Sequence, residues 1–168
     1  TVQLFTTVAD NLIGGTGENE DIQVGTDFVT TASGLYQFGQ LIPGKYFVKV
    51  TPPSLFPLTS GTPVLVDNGV NNDNNGHQPG GLGQPLFSPV VDLAVGEEST
   101  NDGDADTSTE MSIDFGLFKG ITIGDIVWHD LNNDGLRTGG ELGIAGVKVD
   151  LMDPGADGQV GGSAANAD

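Results

Sequence analysis

Apolar side chains recur at every second position in several short stretches of this chain. Val2 and Leu4 recur at every second position, as do Tyr46, Val48 and Val50, then Met111, Ile113, Phe115 and Leu117, then Val147, Val149 and Leu151, mostly with small or polar residues between them. A period of two is the spacing of a strand with one buried face, whereas a helix needs a period near 3.6. The pattern predicts strands at 1–6, near 22–31, at 35–39, at 45–51, near 86–95, at 109–118, at 121–128 and at 146–152, with Phe47 on the outward face. Turn residues punctuate them, Ala32-Ser33-Gly34 and Pro43-Gly44 among others, because Gly supplies positive φ and Pro presets φ. Twenty-seven glycines and nine prolines interrupt any long helix. The fold class expected is all-β, an immunoglobulin-like β-sandwich of seven short strands per repeat. If successive strands run up and down, the loops that follow 121–128 and 45–51 share one end with the turn between 22–31 and 35–39, and strand 109–118 leaves there too. The 7–21 and 96–108 loops then share the other.

The same pattern occurs twice. Laying residues 148–168 over 1–21 without a gap matches Val149, Leu151, Ala156, Asp157, Gly161, Gly162, Asn166 and Asp168 to Val2, Leu4, Ala9, Asp10, Gly14, Gly15, Asn19 and Asp21, an offset of 147 residues. Composition alone would give roughly two such identities. The expectation is a tandem repeat of about 147 residues seen in a permuted window. Residues 1–120 would be a sandwich lacking its first strand and the loop after it; residues 121–168 would open the next copy. The chain starts at Thr1 on a core-like strand, so it reads as processed or as a window of a longer protein. Either the array is covalent, or residues 121–147 of one molecule complete the domain of the next by strand complementation. The competing reading is that the first domain is whole without that segment.

Charge narrows the function. Five Lys and Arg against 23 Asp and Glu give a formal net charge of −18. Such a surface repels nucleic acid and anionic lipid. It also strains a compact fold by self-repulsion that bound divalent cations relieve. The absence of cysteine removes disulfides, thiolate zinc sites and thiol nucleophiles. No apolar run approaches the ~20 residues that span a bilayer, so no membrane insertion is expected.

Oxygen-rich loops supply the candidate chemistry. Residues 130–141, DLNNDGLRTGGE, fit the calcium-loop pattern D-x-[DN]-x-[DN]-G-x5-E. Asp130, Asn132 and Asp134 fall at positions 1, 3 and 5, and Gly135 at the sharp turn. Leu136 offers its carbonyl at position 7, Thr138 a side chain or water at position 9, and Glu141 two carboxylate oxygens at position 12. The alternative is an ordinary acidic turn. Its flanks alternate like strands, so the loop is expected between strands rather than between helices. A second candidate lies in DNGVNNDNNG, with Asn71, Asp73 and Asn75 at the ligand spacing and Asp67 as the closing group, since Leu82 stands at position 12. A third is the run with Glu97, Glu98, Asp102, Asp104 and Asp106. For both, the alternative is a solvated loop. Ca2+ is the cofactor expected, at sites that the roughly 0.1–1 mM affinity of extracellular modules would suffice to fill.

Catalysis finds no support. His77 and His129 have no serine or cysteine partner in view, and the carboxylates are too many to single out a pair. Trp128 reads as core packing beside the loop, against a ligand-stacking role.

The stretch GDIVWHDLNNDGLRTGGELGIAGVKVDL, residues 124–151, resembles the opening of SdrD B-like domains, the calcium-binding repeats of serine-aspartate-repeat adhesins and other bacterial surface proteins. SGLYQFGQLIPGKYFVKV (33–50), DNGVNNDNNGHQ and MSIDFGLF are similar to later family segments, with Ile42 where the family has a first Pro. The resemblance implies an immunoglobulin-like sandwich with several calcium sites, a cell-surface or extracellular location and a spacer or fibre role. It places ligands at Asp130, Asn132, Asp134 and Glu141. Related pilin domains carry Lys–Asn isopeptide bonds, but Lys148 has Thr1 as its equivalent and the closing strand offers Asp114, so no such bond is expected. The function read from the sequence is a calcium-stabilised structural repeat of an extracellular bacterial fibre, stalk or surface adhesin. Its partners are copies of itself, in tandem or polymerised head to tail, and calcium stiffens a rod of stacked domains. The alternative is a carbohydrate-binding or dockerin-like binding module of a secreted protein.

Overall fold

The computed structural model describes residues 1–8 and 10–152. The chain divides into two units, Thr1–Ile121 and Thr122–Asp168. The repeat matches at Ala9 and from Ala156 onward lie outside the described residues.

The first unit is built on an antiparallel sheet. Its strands are β1 (Val2–Thr6), β2 (Ile22–Phe28), β3 (Gly44–Val50), β5 (Leu86–Phe87) and β6 (Val91–Leu93), ordered β2-β1-β3-β5 with β6 also paired to β3. The register sets Val2 opposite Val50 and Leu4 opposite Val48, so the alternating apolar residues of both strands share one face. β2 bulges against β1 between Val2 and Leu4, where Gly25 takes φ +73°. Val2, Leu4, Tyr46, Val48, Val50 and Leu86 form the buried core. Above it pack Tyr36, Phe38, Ile113, Phe115 and Leu117 from two segments that form the opposite layer. A second, two-stranded sheet joins β4 (Leu58–Thr59) to β7 (Leu117–Phe118). The molecule is all-β with antiparallel sheets, consistent with an immunoglobulin-like sandwich.

Several strands differ from the expectation. The predicted 86–95 strand is two strands, because Pro89 has no N–H to donate. Ser88 repairs the gap: its N–H donates to the Val48 carbonyl (2.9 Å) and its hydroxyl accepts the Val48 N–H (2.8 Å). The predicted 109–118 strand shrinks to Leu117–Phe118. Upstream of that, asparagine side chains take the place of a backbone partner. Asp114 N–H donates to Asn75 Oδ1 (2.8 Å) and Gly116 N–H to Asn74 Oδ1 (3.0 Å). Residues 35–39 form no strand, since no neighbouring backbone pairs with them. Phe47 faces outward as expected but is only 3% exposed, because it stacks on Phe5 (5.2 Å) and tilts against Phe87 (6.3 Å).

The up-and-down placement of loops is also corrected. The segment after β3 folds back through β4 and runs beside residues 112–118, so Asp67 and Asn71 reach the 96–108 loop rather than the opposite end. Ser99 Oγ donates to the Gly69 carbonyl (3.2 Å), and the Asn71 amide lies so close to Gly103 (φ +115°) that a Cβ there would overlap it.

In the second unit neither 121–128 nor 146–152 is a strand. A single antiparallel bridge joins Trp128 to Gly143. Strand hydrogen bonds need a second backbone along the whole run, and the described residues supply one only next to the 130–141 loop.

Candidate metal site

The bridge closes the 130–141 loop at its neck. His129 N–H donates to the Leu142 carbonyl (3.0 Å) and Ile144 N–H to the Val127 carbonyl (2.9 Å). Asn133 at φ 58° and Gly135 at φ 76° turn the backbone back on itself. That turn directs the polar side chains of the first half inward. Asp130 accepts from Asp134 N–H (3.2 Å) and Gly135 N–H (2.8 Å), and Asp134 accepts from Leu136 N–H (2.8 Å). Asn132 Nδ2 donates to Asp134 (2.8 Å).

Glu141 closes the loop. It is 5% exposed, and its two carboxylate oxygens accept from opposite arms, Leu131 N–H (3.0 Å) and Thr138 N–H (2.8 Å). The Leu136 and Thr138 side chains are exposed. Among the described residues no three His, Cys, Asp or Glu side chains stand together as a metal-holding group, because these carboxylates are turned onto backbone N–H donors. The donor set itself fits a hard cation: the carboxylates of Asp130, Asp134 and Glu141, the Asn132 amide oxygen and the Leu136 carbonyl stand at calcium-loop spacing.

The other candidates come together in the first unit. Asp67 accepts from Ser112 Oγ (3.4 Å) and Gly69 N–H (3.2 Å). Asp102, fully buried, accepts from Met111 N–H (2.7 Å) and Asp104 N–H (3.4 Å). Asp104 accepts from Asp106 N–H (2.8 Å) and Thr109 Oγ1 (2.8 Å). Asp73 accepts from Asn68 Nδ2 (2.9 Å), while its Oδ1 is buried without a hydrogen bond. Asn75 is 1% exposed and holds Asp114 through both backbone and side chain. The sequence reading missed Glu110 and Asp114. Burial raises the Glu110 carboxyl above its ordinary range, hydrogen bonds from Ser112 oppose this, and the charges of Asp67 and Asp102 add to the rise. Burial likewise raises Asp114, against a hydrogen bond from Asn72 and with the charge of Asp73. The signal available in the sequence was the even spacing of Glu110, Ser112 and Asp114, which a strand presents along one edge or face.

Residues 121–166 match the SdrD B-like domain family. Serine-aspartate repeat-containing protein F of Staphylococcus epidermidis is 33% identical over 128 residues, which cover 74% of this chain and 6% of that protein. Serine-aspartate repeat-containing protein I of Staphylococcus saprophyticus is 34% identical over 138 residues, 80% of this chain and 6% of that protein. Colossin-A of Dictyostelium discoideum is 31% identical over 140 residues, 83% of this chain and 1% of that protein. The chain therefore spans a small fraction of the length of the curated relatives it matches. No solved structure matches it.

Proposed function

We propose that this chain, a member of the SdrD B-like family of surface-protein repeats, is a calcium-stabilised structural unit of an extracellular bacterial fibre, stalk or adhesin. The observation that supports it is Glu141. A carboxylate 5% exposed, holding both arms of a loop that carries Asp130 and Asp134, concentrates negative charge where only Arg137 within the loop opposes it. Burying the Glu141 carboxylate beside two further acids is costly unless a cation joins them. In this reading calcium takes oxygens from Asp130, Asn132, Asp134, Leu136, Thr138 and Glu141, releasing the backbone N–H groups they now accept from. The loops that carry Asp67, Asn71 and Asp73 and Asp102 and Asp104, which approach where Asp67 and Asp102 both act on Glu110, are a second place for the same ion; Asn75 stays with Asp114.

The unit has no proposed catalysis. Its role is to keep successive copies apart and stiff, and its partners are those copies. No helix among the described residues is long and apolar enough to cross a membrane. The dockerin-like alternative loses ground because no helix follows the loop within the described residues.

Melting in millimolar calcium and in chelator tests the reading. Calcium at about twenty times its dissociation constant should add about 2 kcal/mol, raising Tm by several degrees. Small-angle scattering of an array of copies should show a longer, less flexible particle with calcium. A melting curve and scattering profile identical in both buffers would refute the proposal.

A further inference from the structure

The segment between β4 and β5 contains two Asn-Gly pairs, Asn68-Gly69 and Asn75-Gly76. Such a pair is prone to deamidation, because glycine lets the backbone nitrogen that follows the asparagine swing onto its side chain. The fold treats the two pairs in opposite ways. Asn75 is 1% exposed; its N–H donates to the Asp114 carbonyl and its Oδ1 accepts the Asp114 N–H (2.8 Å). The Gly76 N–H donates to Asn74 Oδ1 (3.1 Å), and a Cβ on Gly76 would stand 2.9 Å from both Leu86 and Phe115. That backbone has no room to turn unless the loop opens. Asn68, in contrast, is exposed. Its Oδ1 accepts the Val70 N–H (2.9 Å), an Asx turn that folds the side-chain amide back along the Gly69 peptide. The same bond draws electron density from Cγ. Asp67 Oδ1 accepts the Gly69 N–H (3.2 Å), so a carboxylate stands at the proton that must leave. Gly69 sits at φ +62°, where a Cβ would meet Ser99 Oγ at 2.9 Å. The turn therefore requires glycine, and with it the labile pair.

We infer that Asn68 is a covalent modification site, at which the folded chain deamidates through a cyclic imide while Asn75 is protected. This goes beyond the proposed function and does not rest on it. The Gly69 nitrogen loses its proton and bonds to Asn68 Cγ. The Cγ–Nδ2 bond breaks, and that nitrogen leaves as ammonia with a proton in place of the one taken from Gly69. Water then opens the imide at either carbonyl. One opening leaves an aspartyl residue at position 68; the other leaves an isoaspartyl residue, in which the side-chain carbons carry the main chain. The net change is amide and water to carboxylate and ammonium, with no oxidant and no cofactor. Both products alter the loop. The Asn68 Nδ2 that donates to Asp73 Oδ2 (2.9 Å) is replaced by a like charge, and the other Asp73 oxygen is already buried without a hydrogen bond. The isoaspartyl product also lengthens the main chain just ahead of Gly69, whose carbonyl accepts from Ser99 Oγ (3.2 Å) and ties this segment to the 96–108 loop. Ageing of the chain at Asn68 therefore loosens the first unit.

The test is to hold the full chain in chelator, in mildly alkaline buffer at body temperature, and to sample it over weeks by chymotryptic mapping and mass spectrometry, with fragmentation locating each change. The peptide that carries Asn68 should gain the mass of OH for NH2 and split into aspartyl and isoaspartyl forms. Its conversion should run at least about tenfold faster than that of Asn75, which must wait for the loop to open. In urea the two pairs should convert at similar rates, since neither is then held. Asn68→Gln should abolish conversion at position 68, because the longer side chain closes a less favoured ring, and should leave Asn75 as slow as before. Equal rates at the two pairs in the folded chain, or an Asn68 that stays intact while urea exposes both to reaction, would overturn the inference. Asn68→Asp should lower Tm in chelator by about 1–3 °C; an unchanged Tm would overturn the loosening assigned to the modification.

Discussion

Glu110 carries the electrostatic tension of the first unit. Its carboxylate accepts the Ser112 N–H at 2.7 Å while Asp67 and Asp102 stand near enough to oppose its charge. The acid is raised in the folded state, so the fold holds its proton more tightly than the unfolded chain does. The stabilisation is therefore complete below the ordinary value of 4.5 and is lost as pH rises through the higher folded value. Asp114 works in the same direction. Glu110→Gln keeps an oxygen for Ser112 and removes the charge. In chelator it should raise Tm at pH 7 by about 1–3 °C, the scale of a partly solvated charge, and flatten the fall in Tm between pH 4 and pH 7. An unaltered pH profile would show that the crowding of carboxylates has no energetic consequence. Asn75 takes a structural part at this scale: its side-chain oxygen accepts the Asp114 N–H, as a neighbouring strand carbonyl would.

At the scale of elements, β1 and β3 organise the molecule. Their inward residues make the core, and their outward residues make a second apolar contact of Phe5, Phe47 and Phe87, with Lys49 5.7 Å from the Phe5 ring. Phe47→Ala removes the centre of that contact from a site 3% exposed. Urea unfolding should show a loss of about 3–5 kcal/mol; a loss below about 1 kcal/mol would mean that the outer face is not a packed layer. The strands at 1–6, 22–28 and 44–50 were legible from alternation because each has a backbone neighbour on both sides or a floor to bury against. The 35–39, 121–128 and 146–152 stretches alternate or are equally apolar, but periodicity reports which face a segment can bury, not whether a partner lies alongside. The Asn74 and Asn75 clamps were illegible for another reason: a side-chain amide replacing a backbone acceptor leaves no period in the sequence. In the candidate site, the turn of the 130–141 loop was readable because it needs Gly135 and its oxygen-bearing side chains fall at fixed steps. The meeting of Asp67 with Asp102 depends on a fold-back of the segment between β3 and β5, which no local pattern encodes.

For the whole molecule, a formal charge of −18 sets the terms. The described ion pairs, Lys45 with Asp92 and Lys148 with Asp150, are exposed and offset little of it. A fold that crowds carboxylates and has no disulfide needs another source of cohesion, and the divalent cation proposed for the 130–141 loop would supply it. Membership of a surface-repeat family is consistent with that demand. The most direct measurement is calorimetric titration of calcium into the wild-type chain and into Glu141→Gln. The account predicts saturable uptake by the wild type, with a dissociation constant of about 1 mM or tighter, and loss of the tightest binding step in the variant. No uptake at millimolar calcium, or identical isotherms for the two proteins, would contradict it.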